Sequence, residues 1–314
     1  MKISFITTVF KEEETIKKFL ESLFIQTKLP DEIIIVDGGS TDNTVLVISN
    51  SKFQISNKSI KPKIKLIIKK GNRSVGRNEA IKQSTGDMIV CSDSGNILDK
   101  DWIKNITKPF KNPQVDVVSG YYEGLAKTIF QKCVIPYVLV MEDKVNPDNF
   151  LPATRSIAFK KSIWKKVGGF PEEYSHNEDY VFAKRLKKQE VNIVFAKDAI
   201  VYWLPRKNLK EAFVMIFRFA YGDIEAGVLR PKMLLLFIRY LIAMLLFIAF
   251  IMYGRVFIFV LTILFAVYII WAIGKNYKYV RDPRAYIILP LLQLTADIAI
   301  ISASFMALFK RIYQ

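Results

Sequence analysis

Residues 30–44 read PDEIIIVDGGSTDNT, and the step from EIIIVD to GGSTD decides the fold. A continuous apolar run bounded by Asp and Gly is the pattern of a strand buried on both faces. Gly38 and Gly39 then permit a tight turn with close backbone approach, and Ser40 to Asp42 can cap a following helix. Outward from this stretch the same strand-then-helix unit repeats. Strands are predicted at Ile3–Thr8, Glu32–Asp37, Ile64–Lys69, Asp87–Cys91 and Asp116–Gly120, with helices near Glu12–Gln26, Asp42–Ser49, Ser74–Ser84 and Lys100–Phe110. Such alternation makes a largely parallel α/β sheet, whose ligands bind beyond the carboxyl ends of the strands.

The residues after each strand are therefore where chemistry is sought. Thr8-Val9-Phe10-Lys11-Glu12 follows the first strand without a G-x-G-x-x-G, which removes the main signature of a dinucleotide-binding enzyme. The DGGSTD after the second strand, taken alone, has a capped turn as its lesser reading. After the fourth strand comes Cys91-Ser92-Asp93-Ser94-Gly95-Asn96. A carboxylate at a strand end is well placed to hold a divalent cation on a diphosphate, because Mg²⁺ and Mn²⁺ prefer oxygen ligands.

The chain has 314 residues and 46 Lys+Arg against 29 Asp+Glu, a net charge of +17, beside 51% hydrophobic residues. Its mean hydropathy is +0.21. One soluble domain rarely combines the two, so two populations of sequence are implied. Two cysteines and one histidine leave no disulfide framework and no His-based metal cluster. ISFITTVF is followed at once by Lys11–Glu14 with no small-residue cleavage site, so a first buried strand is read there in preference to a signal peptide.

The apolar excess lies at the far end. Residues 233–252, 256–273 and 285–309 form apolar runs of membrane-spanning length, interrupted only by Arg239 in the first and Asp297 in the third. The Gly274–Arg284 connection carries Lys275, Lys278, Arg281 and Arg284, which places it in the cytoplasm by the positive-inside rule. Three crossings then put the basic end, Lys310 and Arg311, outside. Leu209–Tyr221 has the pattern of an in-plane amphipathic helix, with an ordinary packed surface helix as the other reading. Residues 206–314 hold 14 Lys+Arg and 5 Asp+Glu, a net of +9, leaving +8 for residues 1–205. No nucleic-acid recognition motif accompanies this charge, and attraction to anionic lipid head groups accounts for it.

TTVFKEEETI, PDEIIIVDGGSTDNT, SVGRNEAIKQSTGDMIVCSDSGNILDKDWI and PATRSIAFKKSIWKKVGGFPEEYSHNEDYVFAKRLKK follow in this order within residues 1–222. Together they resemble the family 2 glycosyltransferases of GT-A fold. The resemblance implies that Thr8, Glu12 and Asp37 meet the uracil and ribose of a nucleotide-sugar donor and that Arg77 lies in the loop facing the nucleotide. It makes Asp93 the first acid of the Asp-X-Asp metal motif, Asp179 the catalytic base, and Glu178 its neighbour. Arg206 is a candidate to close over the diphosphate, or else an interfacial anchor. Three departures stand out. Lys11 replaces the usual Asn of the first loop, and Gly95 replaces the second metal-motif acid, leaving Asn96 or donor phosphates to complete the shell. The Gln-x-x-Arg-Trp of processive synthases keeps only Arg218 in Met215–Phe219.

The expectation is a GT-A-type, mostly parallel α/β catalytic domain (1–205), an amphipathic interfacial segment (206–232) and a membrane domain (233–314) with three transmembrane helices. The function read is a plasma-membrane inverting glycosyltransferase with a cytoplasmic active site, dependent on Mn²⁺ or Mg²⁺. UDP-sugar is the default donor, with GDP-sugar open, and the acceptor is a lipid-linked or membrane-presented hydroxyl. The alternatives are a polyprenyl-phosphate glycosyltransferase and a catalytically silent sugar-nucleotide-binding membrane protein.

Overall fold

The computed structural model describes residues 1–51 and 62–312, divided into two compact units. The first comprises Met1–Leu125 and Val140–Leu204, the second Ala126–Leu139 and Pro205–Gln314.

In the first unit the strands β1 (Ile3–Val9), β2 (Glu32–Asp37), β3 (Lys63–Ile68) and β4 (Met88–Cys91) lie parallel in the order β3-β2-β1-β4. The crossovers carry α1 (Ile16–Phe24), α2 (Thr44–Ser51) and α3 (Arg73–Gln83). All six residues of β2 are buried, as its unbroken apolar run requires of a central strand covered on both faces. The period-two pleat divides the core. Phe5, Ile33, Ile35 and Val90 enter one layer with Phe19 and Trp102, while Ile6, Ile34, Val36 and Ile89 enter the other with Phe159 and Phe182.

The second half of the sheet adds β5 (Asn96–Leu98), β6 (Val117–Gly124), β7 (Ile157–Lys160) and β8 (Ile193–Trp203) in the order β4-β7-β6-β8-β5. β7 runs antiparallel to both β4 and β6, whereas β6 and β8 are parallel. The sheet is therefore mixed and mostly parallel. Helix α4 (Trp102–Thr107) supplies Trp102, whose indole donates to Ser156 Oγ at 2.9 Å. Also in this unit are α6 (Lys161–Lys166) and α7 (Glu178–Lys188).

The second unit is helical: α5 (Ile129–Val138), α8 (Leu209–Glu225), α9 (Pro231–Tyr253), α10 (Val256–Val280) and α11 (Ala285–Ile312). The last three are long and apolar enough to cross a membrane. α8 packs along α11, whose buried face includes Ala285, Leu289, Leu292, Ala296, Ala299, Ala303 and Ala307. Small residues at three- and four-residue spacing let the two backbones approach closely. The two helices run the same way: Leu209 and Ile288 line one cavity, and Lys310 lies over the Tyr221 ring. Asp297 is buried and accepts hydrogen bonds from Arg239, from Tyr240 and Tyr268 (3.1 and 2.7 Å) and from Gln293 (2.9 Å). A carboxylate with this many donors ties α9, α10 and α11 together, which is the bonding role open to an acid in an apolar helix.

Candidate active site

The carboxyl ends of β1, β2 and β4 form one rim. At the end of β2, Asp37 is buried and its Oδ2 accepts from the backbone amides of Gly39 and Ser40 at 2.9 and 2.8 Å. Ser40 Oγ donates to Asp37 Oδ1 at 2.5 Å. The turn requires φ +94° at Gly39, a conformation that glycine adopts without Cβ strain. The neighbouring loop after β1 is tied to this turn. Lys11 N donates to Ser40 Oγ at 2.9 Å, and Glu12 N donates to Thr44 Oγ1 at 2.8 Å. Lys11 itself has φ +55°, a left-handed conformation that Asn tolerates better than Lys. Glu12 accepts from the Thr15 hydroxyl. Thr8 is partly exposed at the end of β1, where α3 presses on it: a Cβ on Gly76 would stand 2.6 Å from Thr8 Cγ2.

The second cluster is charged. Arg77, in α3, is 1% exposed, and its guanidinium joins two carboxylates. Nη1 donates to Glu178 Oε1 at 2.7 Å and Nη2 to Asp93 Oδ1 at 3.0 Å. The Phe170 ring lies 5.5 Å beneath. So large a buried cation persists only when paired and hydrogen-bonded. The spacing is set from α3. Asn72 caps that helix through Val75 N (3.1 Å) and donates to the carbonyls of Glu172 and Tyr174 (2.7 and 3.2 Å). Asn78 exchanges hydrogen bonds with the Phe170 backbone at 2.8 and 2.9 Å and accepts from Trp164 Nε1 at 3.0 Å. These bonds hold the approach to α7, and a left-handed Asn177 (φ 59°) then turns Glu178 and Asp179 into the first turn of that helix.

Two carboxylates of this cluster are pushed in opposite directions. Burial raises Asp93, but Arg77, Arg73 and Arg155 outweigh it and hold the carboxyl below the ordinary range. Asp179 is raised, first by burial and then by the charge of Glu178, with Arg77 opposing. A pair driven apart in this way can divide anion-holding and proton-accepting roles. Burial also pushes the Cys91 thiol up to about 12, so it is an inert core residue.

Asp93 is the one carboxylate at the expected metal position. Its side chain is 39% exposed, with Oδ1 engaged by Arg77. Among the described residues no three His, Cys, Asp or Glu gather as a metal cluster. Asn96 is buried and directs its amide to Ser92 Oγ and the Arg155 carbonyl. A hard cation that keeps waters and takes substrate phosphates needs as little as one protein carboxylate, and the site fits a cation held that way.

The structure thus brings Arg77, Asp93, Glu178 and Asp179 together and sets Thr8, Glu12 and Asp37 on the neighbouring strand ends. Arg206 is exposed in the connection between β8 and α8 and belongs to the second unit. Sequence reasoning missed Arg155, whose guanidinium lies over the rings of Tyr122 and Trp203 at 5.2 and 5.9 Å and whose charge reaches both Asp93 and Asp179. Its only sequence signal is an arginine beside a proline-led turn, PATRS. The Arg77–Glu178 bond was missed as well, since it joins residues 101 positions apart.

Residues 4–127 match the family model "Glycosyl transferase family 2". Across 232 residues the chain is 25% identical to the poly-beta-1,6-N-acetyl-D-glucosamine synthase of Staphylococcus epidermidis, covering 71% of this chain and 55% of that protein. It is 27% identical over 238 residues to the poly(ribitol-phosphate) beta-glucosyltransferase of Bacillus spizizenii, covering 72% and 36%. The chain therefore spans about half the length of these curated relatives, or less. A mannosyltransferase from Pyrobaculum calidifontis, solved with GDP-Man and Mn²⁺, superposes with a TM-score of 0.63 at 16% identity, over 96% of this chain and 87% of that one. The family 2 glycosyltransferase match thus lies within the first unit, and the superposition gives this chain the fold of that mannosyltransferase, GT-A.

Proposed function

We propose that the chain is a membrane-anchored inverting glycosyltransferase, moving a sugar from a nucleotide-sugar donor to a hydroxyl of a lipid-linked or membrane-presented acceptor. The observation that carries this reading is the Arg77 bridge between Asp93 and Glu178, with the proton-affine Asp179 beside it. Transfer with inversion needs a base for the acceptor hydroxyl on one side of the anomeric carbon and charge neutralisation of the departing diphosphate on the other.

In this reading Asp179 accepts the hydroxyl proton as the oxygen attacks. Glu178 accepts from Arg77 at 2.7 Å and holds that cation in place. Arg77 in turn holds Asp93 ionised and aimed. A Mn²⁺ or Mg²⁺ ion bound at Asp93 would neutralise the leaving diphosphate. Asp37, oriented by its own turn, Thr8 and Glu12 line the nucleoside side, and Arg73 and Arg155 add positive charge around the phosphates. The relatives' printed activities, a poly-beta-1,6-N-acetyl-D-glucosamine synthase and a poly(ribitol-phosphate) beta-glucosyltransferase, support a cell-envelope glycan as product. The apolar C-terminal helices support anchoring, with the catalytic unit on the cytoplasmic side.

The test is a screen of nucleotide sugars against native membrane lipids with Mn²⁺, using wild type, Asp179→Asn and Asp93→Ala. The expected result is a loss of about 10²–10⁴-fold in transfer for Asp179→Asn, the size of a general-base contribution. Full transfer in that variant would instead indicate a phosphate acceptor, which is already anionic and needs no base. No turnover with any donor would leave a sugar-nucleotide-binding protein.

A further inference from the structure

The second unit holds a cavity of about 620 Å³ lined by Phe130 of α5, Lys207, Asn208, Leu209 and Lys210 at the start of α8, and Ile288 and Leu291 of α11. That volume lies in the range of small-molecule sites. Its walls are of two kinds. Phe130, Leu209, Ile288 and Leu291 make a continuous apolar side drawn from three helices. The lining also includes Lys207 and Lys210, both exposed.

The only acid nearby in sequence is Glu211, and it is occupied. It accepts from Lys207 N at 3.0 Å and from Asn208 Nδ2 at 2.8 Å, while Asn208 Oδ1 accepts from Glu211 N at 2.9 Å. This reciprocal cap fixes the first turn of α8 and spends the carboxylate on backbone and amide donors. Among the described residues neither Lys207 nor Lys210 enters an ion pair. Lys207, Lys210 and the first residue of the 17-residue helix α8 all line this one cavity.

α5 is fastened so that the apolar wall is preformed. Gln131 donates to the Pro205 carbonyl at 2.9 Å, and Tyr137 donates to the Leu289 carbonyl at 3.0 Å. These bonds hold Phe130 beside the β8–α8 connection and α5 against α11. A mainly apolar lining that also includes two lysines outside any ion pair is complementary to one chemistry: a long hydrocarbon chain ending in a phosphate or diphosphate.

We propose that this cavity binds the phosphorylated end of a single-chain membrane lipid, its first hydrocarbon segment against Phe130, Ile288 and Leu291 and its phosphates on Lys207 and Lys210. That this lipid is the carrier of the acceptor rests on the transferase reading above; the binding itself does not.

The experiment measures binding to the full-length protein in detergent by native mass spectrometry, with three probes: geranylgeranyl diphosphate, geranylgeraniol and inorganic diphosphate. Wild type is expected to retain the lipid diphosphate more tightly than either part alone. Lys207→Gln with Lys210→Gln should weaken the lipid diphosphate by about tenfold or more, as expected for lost charge-assisted hydrogen bonds, and leave geranylgeraniol unaffected. Lys207→Arg with Lys210→Arg should keep binding, which separates the charge from a folding defect. Leu291→Trp should reduce both lipids by filling the trough. The proposal is overturned if wild type binds none of the probes, if the double Gln variant binds the lipid diphosphate like wild type, or if inorganic diphosphate alone binds as well as the lipid. Sugar transfer to a lipid-linked acceptor, run on the same preparations, reports on the enzyme reading separately. Binding intact with transfer absent in every variant sinks that reading and leaves this site standing.

Discussion

Gly95 stands where a second metal-motif acid is expected, and a Cβ built on it meets nothing within 4 Å. A carboxylate can therefore be added without displacing a neighbour. Gly95→Asp is expected to lower the Mn²⁺ concentration for half-maximal transfer by on the order of tenfold, since a second hard oxygen ligand joins a shell otherwise completed by water and phosphate. An unchanged metal titration would remove Asp93 from the metal site. Asp179 makes a pH prediction with a definite sign. Its carboxyl is raised by burial and by Glu178, and as a base it must be ionised, so transfer should fall as pH drops through a value above the ordinary Asp range near 3.9. Glu178→Gln removes the repulsion and leaves Arg77 more attractive, so the acidic limb should move to lower pH. The same raised value is a stability statement. The ionised form is disfavoured in the folded state, so the stability present below the unfolded pKa is lost as pH rises through the folded one. Asp179→Asn should then raise the melting temperature at pH 7 while transfer collapses; a lowered melting temperature would contradict the placement. At this scale Asp37 and Asp93 could be singled out because they stand at strand ends, where ligands are sought, whereas Glu178 and Asp179 were named through the family resemblance. The Arg77 bridge was not, since nothing local in the sequence links residue 77 to residue 178.

At the scale of elements, the parallel half of the sheet was readable because each strand is an apolar run ended by Gly, Asp or Ser and followed by a helix. In the other half only β6 was, predicted at Asp116–Gly120 and found at Val117–Gly124. β7 is a four-residue IAFK, too short to show a period, and its place between β4 and β6 is set by pairing that only tertiary structure reveals. α5 carries Pro136 within IFQKCVIPYV and is apolar on most sides, which hides both its helical period and its membership of the second unit. α7 begins at a left-handed Asn177 whose side chain makes no cap hydrogen bond, with the acids Glu178 and Asp179 in its first turn. One element boundary can be tested through packing. β6 and β8 change register between Gly120 and Tyr121, and a Cβ on Gly120 would stand 2.0 Å from Ser156 Oγ and 2.6 Å from the Ala199 carbonyl. The Ala199 carbonyl is backbone of β8 and cannot yield cheaply. Ser156 is fixed by accepting from the Trp102 indole and donating to that same carbonyl. Gly120→Ala should cost about 1–3 kcal/mol or more by overpacking, seen as a lower denaturation midpoint with an unchanged denaturant slope. A substitution within 0.5 kcal/mol of wild type would show that the strand can shift at this point.

At the scale of the whole molecule, the number of membrane crossings turns on what α8 can share with α11. By length and composition α9, α10 and α11 all qualify, and three crossings would leave Lys310 and Arg311 outside. Yet α8 lies along α11 from the Leu209–Ile288 end to the Tyr221–Lys310 end. Helices packed side by side occupy the same depth. α8 carries Lys210, Glu211, Arg218, Asp223 and Glu225 within 17 residues, far too polar for a hydrocarbon environment without partners on every side. The membrane-spanning windows of α9 and α10 bury only 6% of their residues within the protein, as lipid-facing helices do, whereas the α11 window buries 50%, chiefly against α8. By length and composition α11 qualifies as a span like the other two, and a half-buried helix and a lipid-facing one contain the same alanines and leucines. The arrangement is accommodated if α9 and α10 form the crossing hairpin and the α8–α11 pair lies at the surface, its remaining apolar side chains such as Phe305 and Phe309 dipping into the interface. Lys310 and Arg311 then fall on the same side as the basic Lys275–Arg284 connection, in agreement with the positive-inside rule. A reporter fused after Gln314 is accordingly expected in the cytoplasm, fluorescent as a cytoplasmic protein fusion and inactive as an alkaline phosphatase fusion. A phosphatase inserted at Gly254 should be active outside. Phosphatase activity after Gln314 would restore three crossings, and it would then require Arg218 and Lys210 to find anionic partners within the bilayer.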